Sequence, residues 1–188
     1  MIKEYILVSA AQVFREKGFH GASMADIAEA VNLQKASLYH HFSSKQEILL
    51  ELLDRALELV TAQMDAVLAQ DLPAESKLRL AMRSYLRTLA NQGDLVSVLL
   101  LEYRSLEPEY YYRHIPHRDQ FEILWRSLLA DGVESGAFLC DDVPMAVRGL
   151  MGMMNWAITW YRPDGSKSLD DIAEGFADIF LRGISVPS

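Results

Sequence analysis

Hydrophobic positions along this chain recur at intervals of three and four residues, a spacing that predicts helix after helix. Ile2, Ile6, Val8, Ala10, Ala11, Val13 and Phe14 form a first stripe, and Gly18 is a natural stop for it. Ser23 precedes Met24, Ile27, Ala28 and Val31 and stands three residues before Asp26. That is a capping-box arrangement with Asp where Glu or Gln is usual. After a short break at Asn32 and Leu33, a second short helix is expected over 35–42. Ser43 and Ser44 precede Gln46 and Glu47, so two overlapping capping boxes open a long helix over 44–70. Its apolar side is Ile48, Leu49, Leu52, Leu53, Ala56, Leu59, Val60, Met64 and Val67. Pro73 starts another helix, ending near Gly93, and a very apolar helix is expected over 95–106. The aromatic stretch 109–115 reads as irregular, and Pro116 predicts a kink or fresh start before an amphipathic helix over 118–135. Asp142 and Pro144 open a helix to about Arg162, and Pro163-Asp164-Gly165 is a turn. The last helix covers 169–183, with Val186-Pro187-Ser188 as a tail. The reading is an all-α fold of about nine helices: an N-terminal three-helix unit and a larger helical body.

Composition narrows the class. The chain has 188 residues, 51% of them hydrophobic, which suits a globular domain with a sizeable core. No apolar run reaches the roughly 20 residues that a membrane span needs. The first residues lack the apolar core of a signal peptide, so a soluble cytoplasmic protein without membrane partners is expected. The lone Cys140 can form neither an internal disulfide nor a Cys-rich zinc site. The formal charge is −8, which excludes a chain that coats nucleic acid along its length. The charge is uneven, however. Through Glu47 five cations (Lys3, Arg15, Lys17, Lys35, Lys45) balance five carboxylates (Glu4, Glu16, Asp26, Glu29, Glu47), so the acidic excess lies entirely in the rest. A small neutral head that can approach an anion, on an acidic body, divides the labour: 1–47 for binding and 48–188 for the body.

The stretch 23–42 has the form of a helix-turn-helix. Ile27, Ala28, Val31, Leu33 and Leu38 can build its small core. Ser23, Gln34, Lys35, Ser37, Tyr39, His40 and Lys45 are left outward, a set rich in hydroxyl, amide and cationic groups and free of carboxylates. Gly18-Phe19, Ser23-Met24-Ala25-Asp26-Ile27-Ala28, Val31-Asn32-Leu33 and the run Ser37 to Lys45 together resemble the N-terminal domain of TetR-family transcriptional repressors. The likeness is close over about the first quarter of the chain; beyond it, length and helical layout agree. It implies an N-terminal DNA-binding domain over 1–47 and a ligand-binding and dimerisation domain over 48–188. It further implies phosphate contacts by Ser23, Tyr39, Lys45 and the amides near Ser44, and base contacts by Lys35, Ala36, Ser37 and His40. Gln34 and Ala36 depart from the family habit of Ser or Thr and of Gly. Gln34 is the poorer helix cap, and the Ala36 methyl can meet a thymine methyl. The implied partner is double-stranded DNA at a pseudo-palindromic operator.

One module makes few contacts, so two copies are expected, as a homodimer. Gly149 and Gly152 permit close helix approach, and Ile172, Phe176, Ile179 and Phe180 give the last helix an apolar stripe for that interface. Tyr103, Phe121, Trp125, Met151, Trp156 and Trp160 are soft or aromatic side chains suited to an apolar effector, with Asn155 and Thr159 as polar anchors. The segment 152–165 is similar to a branch of the family that senses acyl-CoA thioesters in fatty-acid, phenylacetate or sterol breakdown. Repression of an efflux pump, relieved by diverse lipophilic compounds, is the alternative. A helical enzyme or metal protein using His114 and His117 is the remote one, since Pro116 separates the pair and no HExxH, Gly-x-Ser-x-Gly or Gly-rich phosphate loop is present. No enzyme activity, cofactor or metal is expected.

Overall fold

The computed structural model describes residues 2–184; Met1 and the expected tail at 186–188 lie outside the described residues. Among the described residues there are nine α-helices and no strand: α1 Ile2–Gly21, α2 Met24–Ala30, α3 Lys35–Tyr39, α4 Lys45–Leu68, α5 Ala74–Asn91, α6 Gly93–Leu101, α7 Pro108–Glu134, α8 Val143–Trp160 and α9 Leu169–Ile184. A 3-10 turn occupies Tyr103–Ser105. The described residues form two compact units, 2–58 with 92–118, and 59–91 with 119–184. This differs from a division at 47/48, because α6 and the start of α7 pack with the head. Both α4 and α7 run from one unit into the other. Among the described residues no helix is long and apolar enough to cross a membrane.

In the first unit, α1 buries Ile6, Leu7, Ala10, Ala11, Val13 and Phe14. Its regular helix breaks at Gly18, whose φ of 70° is the left-handed conformation that glycine adopts without a Cβ clash. The edge of Phe19 then packs on Phe14, ring centroids 5.3 Å apart. α2 starts at the expected capping box: Ser23 Oγ accepts from the Asp26 N–H, and Asp26 Oδ2 accepts from the Ser23 N–H at 2.7 Å. It ends in a Schellman motif. Asn32, with φ 51°, is the left-handed residue, and the N–H of Leu33 returns to the Ala28 carbonyl at 2.9 Å. α3 is shorter than expected. The N–H groups of His41 and Phe42 both fold back on the Leu38 carbonyl, at 3.0 Å each. That tightening turns Phe42 into the core, where it is 1% exposed.

The break expected at Pro116 does not occur: α7 is continuous from Pro108 to Glu134. Proline forfeits one backbone hydrogen bond, here to Tyr112, and both residues face solvent, where water can serve the freed carbonyl. His114 and His117, on either side of Pro116, both reach Asp54 Oδ1 on α4, at 2.8 and 3.2 Å, and pin the helix across the proline. The helix expected over 95–106 stops at Leu101 and gives way to the 3-10 turn.

In the second unit, α5 and α9 are joined by an ionic ladder at four-residue spacing. Arg79 meets Asp178 (2.8 Å) and Glu174 (2.9 Å), Arg83 meets Glu174, and Arg87 meets Asp170. Two residues past the end of α7, Gly136 takes a left-handed φ of 74°, and the chain returns so that the Phe138 ring lies against Gly132, with no room for a Cβ there. α8 starts at Asp142, which accepts from the Met145 N–H at 2.9 Å. It buries Val147, Leu150, Met154 and Ala157 along one side.

Candidate functional site

The short α3 is held by a single buried side chain, Leu38, and offers the rest outward. Gln34, Lys35, Ala36, Tyr39 and His40 are exposed, Ser37 is half-buried, and none of these is a carboxylate. Tyr39 is 46% exposed, and the Lys35 ammonium lies 6.0 Å from its ring centroid. Gln34 is the N-cap residue of α3 and makes no side-chain cap bond, as its chemistry led one to expect. Ser23 is exposed, but its hydroxyl is engaged in the α2 cap, donating to Asp26 Oδ2 at 2.6 Å. Asp26 is neutralised locally. Lys17 at 2.6 Å and the Ser23 hydroxyl and amide hold its carboxyl far below the usual range, so the nearby acid is fully spent.

The start of α4 carries more structure than the sequence foretold. Ser44 Oγ caps the Glu47 N–H at 3.1 Å, while the Glu47 carboxylate reaches past it to the Ser43 N–H at 2.6 Å. The two overlapping capping boxes are thus merged into one. The Lys45 ammonium is turned inward. It donates to the carbonyls of Phe19 (2.5 Å) and Ala22 (2.6 Å) and sits 4.3 Å over the Phe19 ring. Desolvation lowers its pKa, against the pull of Asp26 and Glu102. Two of its three protons are therefore spent on tying the α1–α2 junction to α4. Three further residues complete this junction. Gln46 Nε2 donates to the Ser105 carbonyl (3.0 Å), and its Oε1 accepts from the Glu107 N–H (3.1 Å). Glu102 accepts from the Phe19 N–H at 3.1 Å, and the Tyr110 hydroxyl lies 3.3 Å from Ser44 Oγ. No local pattern in the sequence marks such long-range pairs.

The residues expected around an effector are separated by the fold. Phe121 and Trp125 are buried in the second unit, where the Tyr85 ring stacks on Phe121 at 5.8 Å and meets Trp125 edge-on at 6.1 Å. Val60, Gln63, Met64, Val67, Ala81 and Ser84 close the same cavity, of about 10 Å³. Asn155 joins this core, since its Oδ1 accepts from the Tyr85 hydroxyl at 2.7 Å. Burial raises the Tyr85 pKa and keeps that hydroxyl protonated. Tyr103 does not belong to this core: it lies in the first unit and bonds Arg104 Nε at 2.9 Å. Met151 is half-buried, whereas Trp156, Thr159 and Trp160 face out. The reason is helical periodicity, because the buried stripe of α8 passes through Met154 and Ala157 and leaves 156, 159 and 160 on other faces. Thr159 spends its hydroxyl on the Trp156 carbonyl at 2.7 Å and anchors nothing else.

The outward face of α8 instead continues the small residues expected at an interface. Met145, Gly149, Gly152, Trp156 and Trp160 recur at three- and four-residue spacing and are all exposed; Trp156 is 67% exposed. On α9, Ile179 is exposed, Phe176 and Phe180 are half-buried, and Phe176 packs edge-on to Trp160 at 6.1 Å. Ile172, expected in the same stripe, is turned into the core of its own unit, with 6% exposure. A groove of about 380 Å³ opens at the end of this face, between Trp160, Tyr161, Arg162, Lys167 and Phe176. No group of three His, Cys, Asp or Glu side chains among the described residues is placed to hold a metal ion, and His114 is buried against Asp54.

A short exposed recognition helix on a three-helix head, followed by a larger helical body, defines a helix-turn-helix regulator. Comparison with known proteins agrees. Residues 6–52 match the bacterial regulatory proteins of the tetR family, and residues 71–184 match the tetracyclin repressor-like C-terminal domain. The chain belongs to the TetR family of transcriptional regulators. It is 29% identical to the transcriptional repressor KstR2 of Rhodococcus jostii, over 97% of this chain and 90% of that protein. Among solved structures it resembles the TetR-family regulator PfmR of Thermus thermophilus, with a TM-score of 0.86 and 38% identity over 94% of this chain and 97% of that one. It also resembles AibR solved with isovaleryl coenzyme A and operator DNA, with a TM-score of 0.87 and 25% identity over 95% and 97%.

Proposed function

We propose that the protein is a homodimeric repressor that reads a pseudo-palindromic operator with α3 and leaves it when an acyl-CoA thioester binds the body. The observation that carries the DNA reading is the exposed, carboxylate-free surface of α3, with Tyr39 and Lys35 side by side. Lys35, Ala36, Ser37 and His40 face the base edges; Tyr39 and the Ser44 end of α4 face phosphates, with Ser23 and Gln34 at the rim. Lys45 sets the head and offers its remaining proton to a phosphate. The exposed stripe of α8 with Ile179 and Phe176 of α9 is the dimer face; its glycines let a second copy approach closely.

Support for an acyl-CoA effector comes from the isovaleryl-CoA complex of AibR and from the buried aromatic core at Tyr85, Phe121 and Trp125. An acyl chain wedged there repacks α4, α5 and α7. Because α4 and α7 continue into the first unit, the disturbance reaches the head along the chain itself. A coupling of about 1–3 kcal/mol changes operator affinity about five- to 150-fold. Titration of acyl-CoA thioesters into the protein bound to DNA from upstream of its own gene tests this, in gel shifts at two salt concentrations. Binding that weakens steeply with salt supports the DNA reading. Retained operator affinity after joint replacement of Lys35 and Tyr39 by Ala defeats it.

A further inference from the structure

The cavity in the second unit has an unusual inventory of polar atoms. Its lining combines apolar side chains (Val60, Met64, Val67, Ala81 and Phe121) with side chains that carry a polar atom (Gln63, Ser84, Tyr85 and Trp125). The polar groups are almost all spent on one another. Gln63 Oε1 accepts from Ser84 Oγ (3.2 Å) and from Thr88 Oγ1 (2.5 Å), and the Tyr85 hydroxyl is given to Asn155. Trp125 differs: its side chain is 1% exposed, and among the buried side-chain nitrogen and oxygen atoms of this lining its indole N–H alone meets no acceptor among the described residues. A buried donor without a partner costs about 1–3 kcal/mol, so native structures seldom keep one without a use. No charged side chain lines the cavity. Arg126, the residue after Trp125, pairs through Nη2 with Glu122 of its own helix; its buried Nε also has no partner among the described residues, but the side chain does not line the cavity.

These facts select a ligand group. A buried neutral donor without a partner calls for a neutral acceptor. An ionised carboxylate taken into such a site would be desolvated with no cation to offset it, a far larger cost than burying a neutral carbonyl. Resting on the effector reading above, we propose that Trp125 Nε1–H is the specificity donor for the effector's carbonyl oxygen. Through it the protein tells an acyl thioester from the corresponding free acid and from a ligand with no carbonyl. Phe121 and the flexible Met64 give way to admit the chain, since the cavity of about 10 Å³ holds no more than one small group without repacking.

The test uses the full chain and three probes of matched length: saturated acyl-CoA thioesters from four to sixteen carbons, the S-alkyl-CoA thioethers that lack the carbonyl, and the free acids. Calorimetry gives each affinity for the wild type and for Trp125→Phe, which keeps the ring and removes the donor. The wild type is expected to prefer thioester to thioether by about tenfold, the worth of one buried hydrogen bond, and to bind the free acid more weakly still. In Trp125→Phe the thioester preference is expected to shrink to within about twofold. Equal wild-type affinity for thioester and thioether overturns the proposal without any variant. So does a wild-type preference that Trp125→Phe leaves intact. If no acyl-CoA of any length binds the wild type, the effector reading itself fails and takes the role of Trp125 with it.

Discussion

Replacing Lys45 by Met keeps the stem of the side chain and removes its charge. The ammonium makes two charge-assisted bonds, to the carbonyls of Phe19 and Ala22, and lies over the Phe19 ring. A hydrogen bond to a charged group contributes about 1.5–3 kcal/mol, so the pair would sum to several. Against this stands the desolvation that lowers the pKa of Lys45, only partly offset by Asp26 and Glu102. A net loss of about 2 kcal/mol is therefore expected, carried by the first unit. Urea denaturation followed by the loss of helix signal measures it. The same variant reports on DNA. If the third proton meets a phosphate, the slope of log affinity against log salt falls by about 0.9 for each phosphate no longer neutralised. Stability within about 0.5 kcal/mol of wild type would refute the junction role. Reduced affinity with an unchanged salt slope would remove the phosphate contact and leave Lys45 as a group that positions the head.

Gly132→Ala would place a methyl within 2.1–2.9 Å of three carbons of the buried Phe138 ring, and overpacking of this kind costs about 1–3 kcal/mol. Thermal denaturation should show the loss, and an unchanged melting temperature would contradict the packing of the α7–α8 connection. Asp26 has a folded-state pKa held below its ordinary 3.8 by Lys17 and Ser23. Its contribution is accordingly present above pH 3.8 and is lost as the pH falls below that value. Asp26→Asn should therefore destabilise the head at neutral pH and flatten its acid denaturation, and a parallel acid profile would argue against the capping box. Ile179→Glu puts charge on the proposed dimer face at a position already open to solvent, so the monomer fold should survive. Sedimentation should then show a monomer with weakened operator binding, and a persisting dimer would move the interface elsewhere.

Local chemistry was the legible part of this molecule. The capping box at Ser23, the stop at Gly18 and the break at Asn32 depend on residues within a few positions of each other, and each is present in the structure. Pro116 shows the limit of local reasoning. Its penalty is fixed, but whether a helix survives it depends on exposure at Tyr112 and on Asp54, sixty residues from His114 in the chain. Trp156, Thr159 and Trp160 illustrate another limit. An aromatic or polar residue on a helix announces a partner without saying which face the partner occupies. Only the position of the buried Met154 and Ala157 decides that. Tyr85 and Gln63 escaped notice because their importance is relational: neither is exceptional until Asn155, Ser84 and Trp125 are placed around it.

The compact head is larger than the helix-turn-helix, and that bears on how it can be regulated. Residues 18–22, which join α1 to α2, are held from two sides. Lys45 takes the carbonyls of Phe19 and Ala22, and Glu102 takes the Phe19 N–H. Glu102 is itself fixed by the Ser105 hydroxyl at 3.0 Å, and the backbone around Ser105 is clasped by Gln46, the neighbour of Lys45. These bonds form a closed circuit from α1 to α4 to the α6–α7 connection and back. Moving any one member leaves a polar group of another without its partner, so the circuit resists gradual deformation and favours a switch between discrete arrangements. The α1–α2 junction is therefore held by residues 102–110, far along the chain, as well as by Lys45.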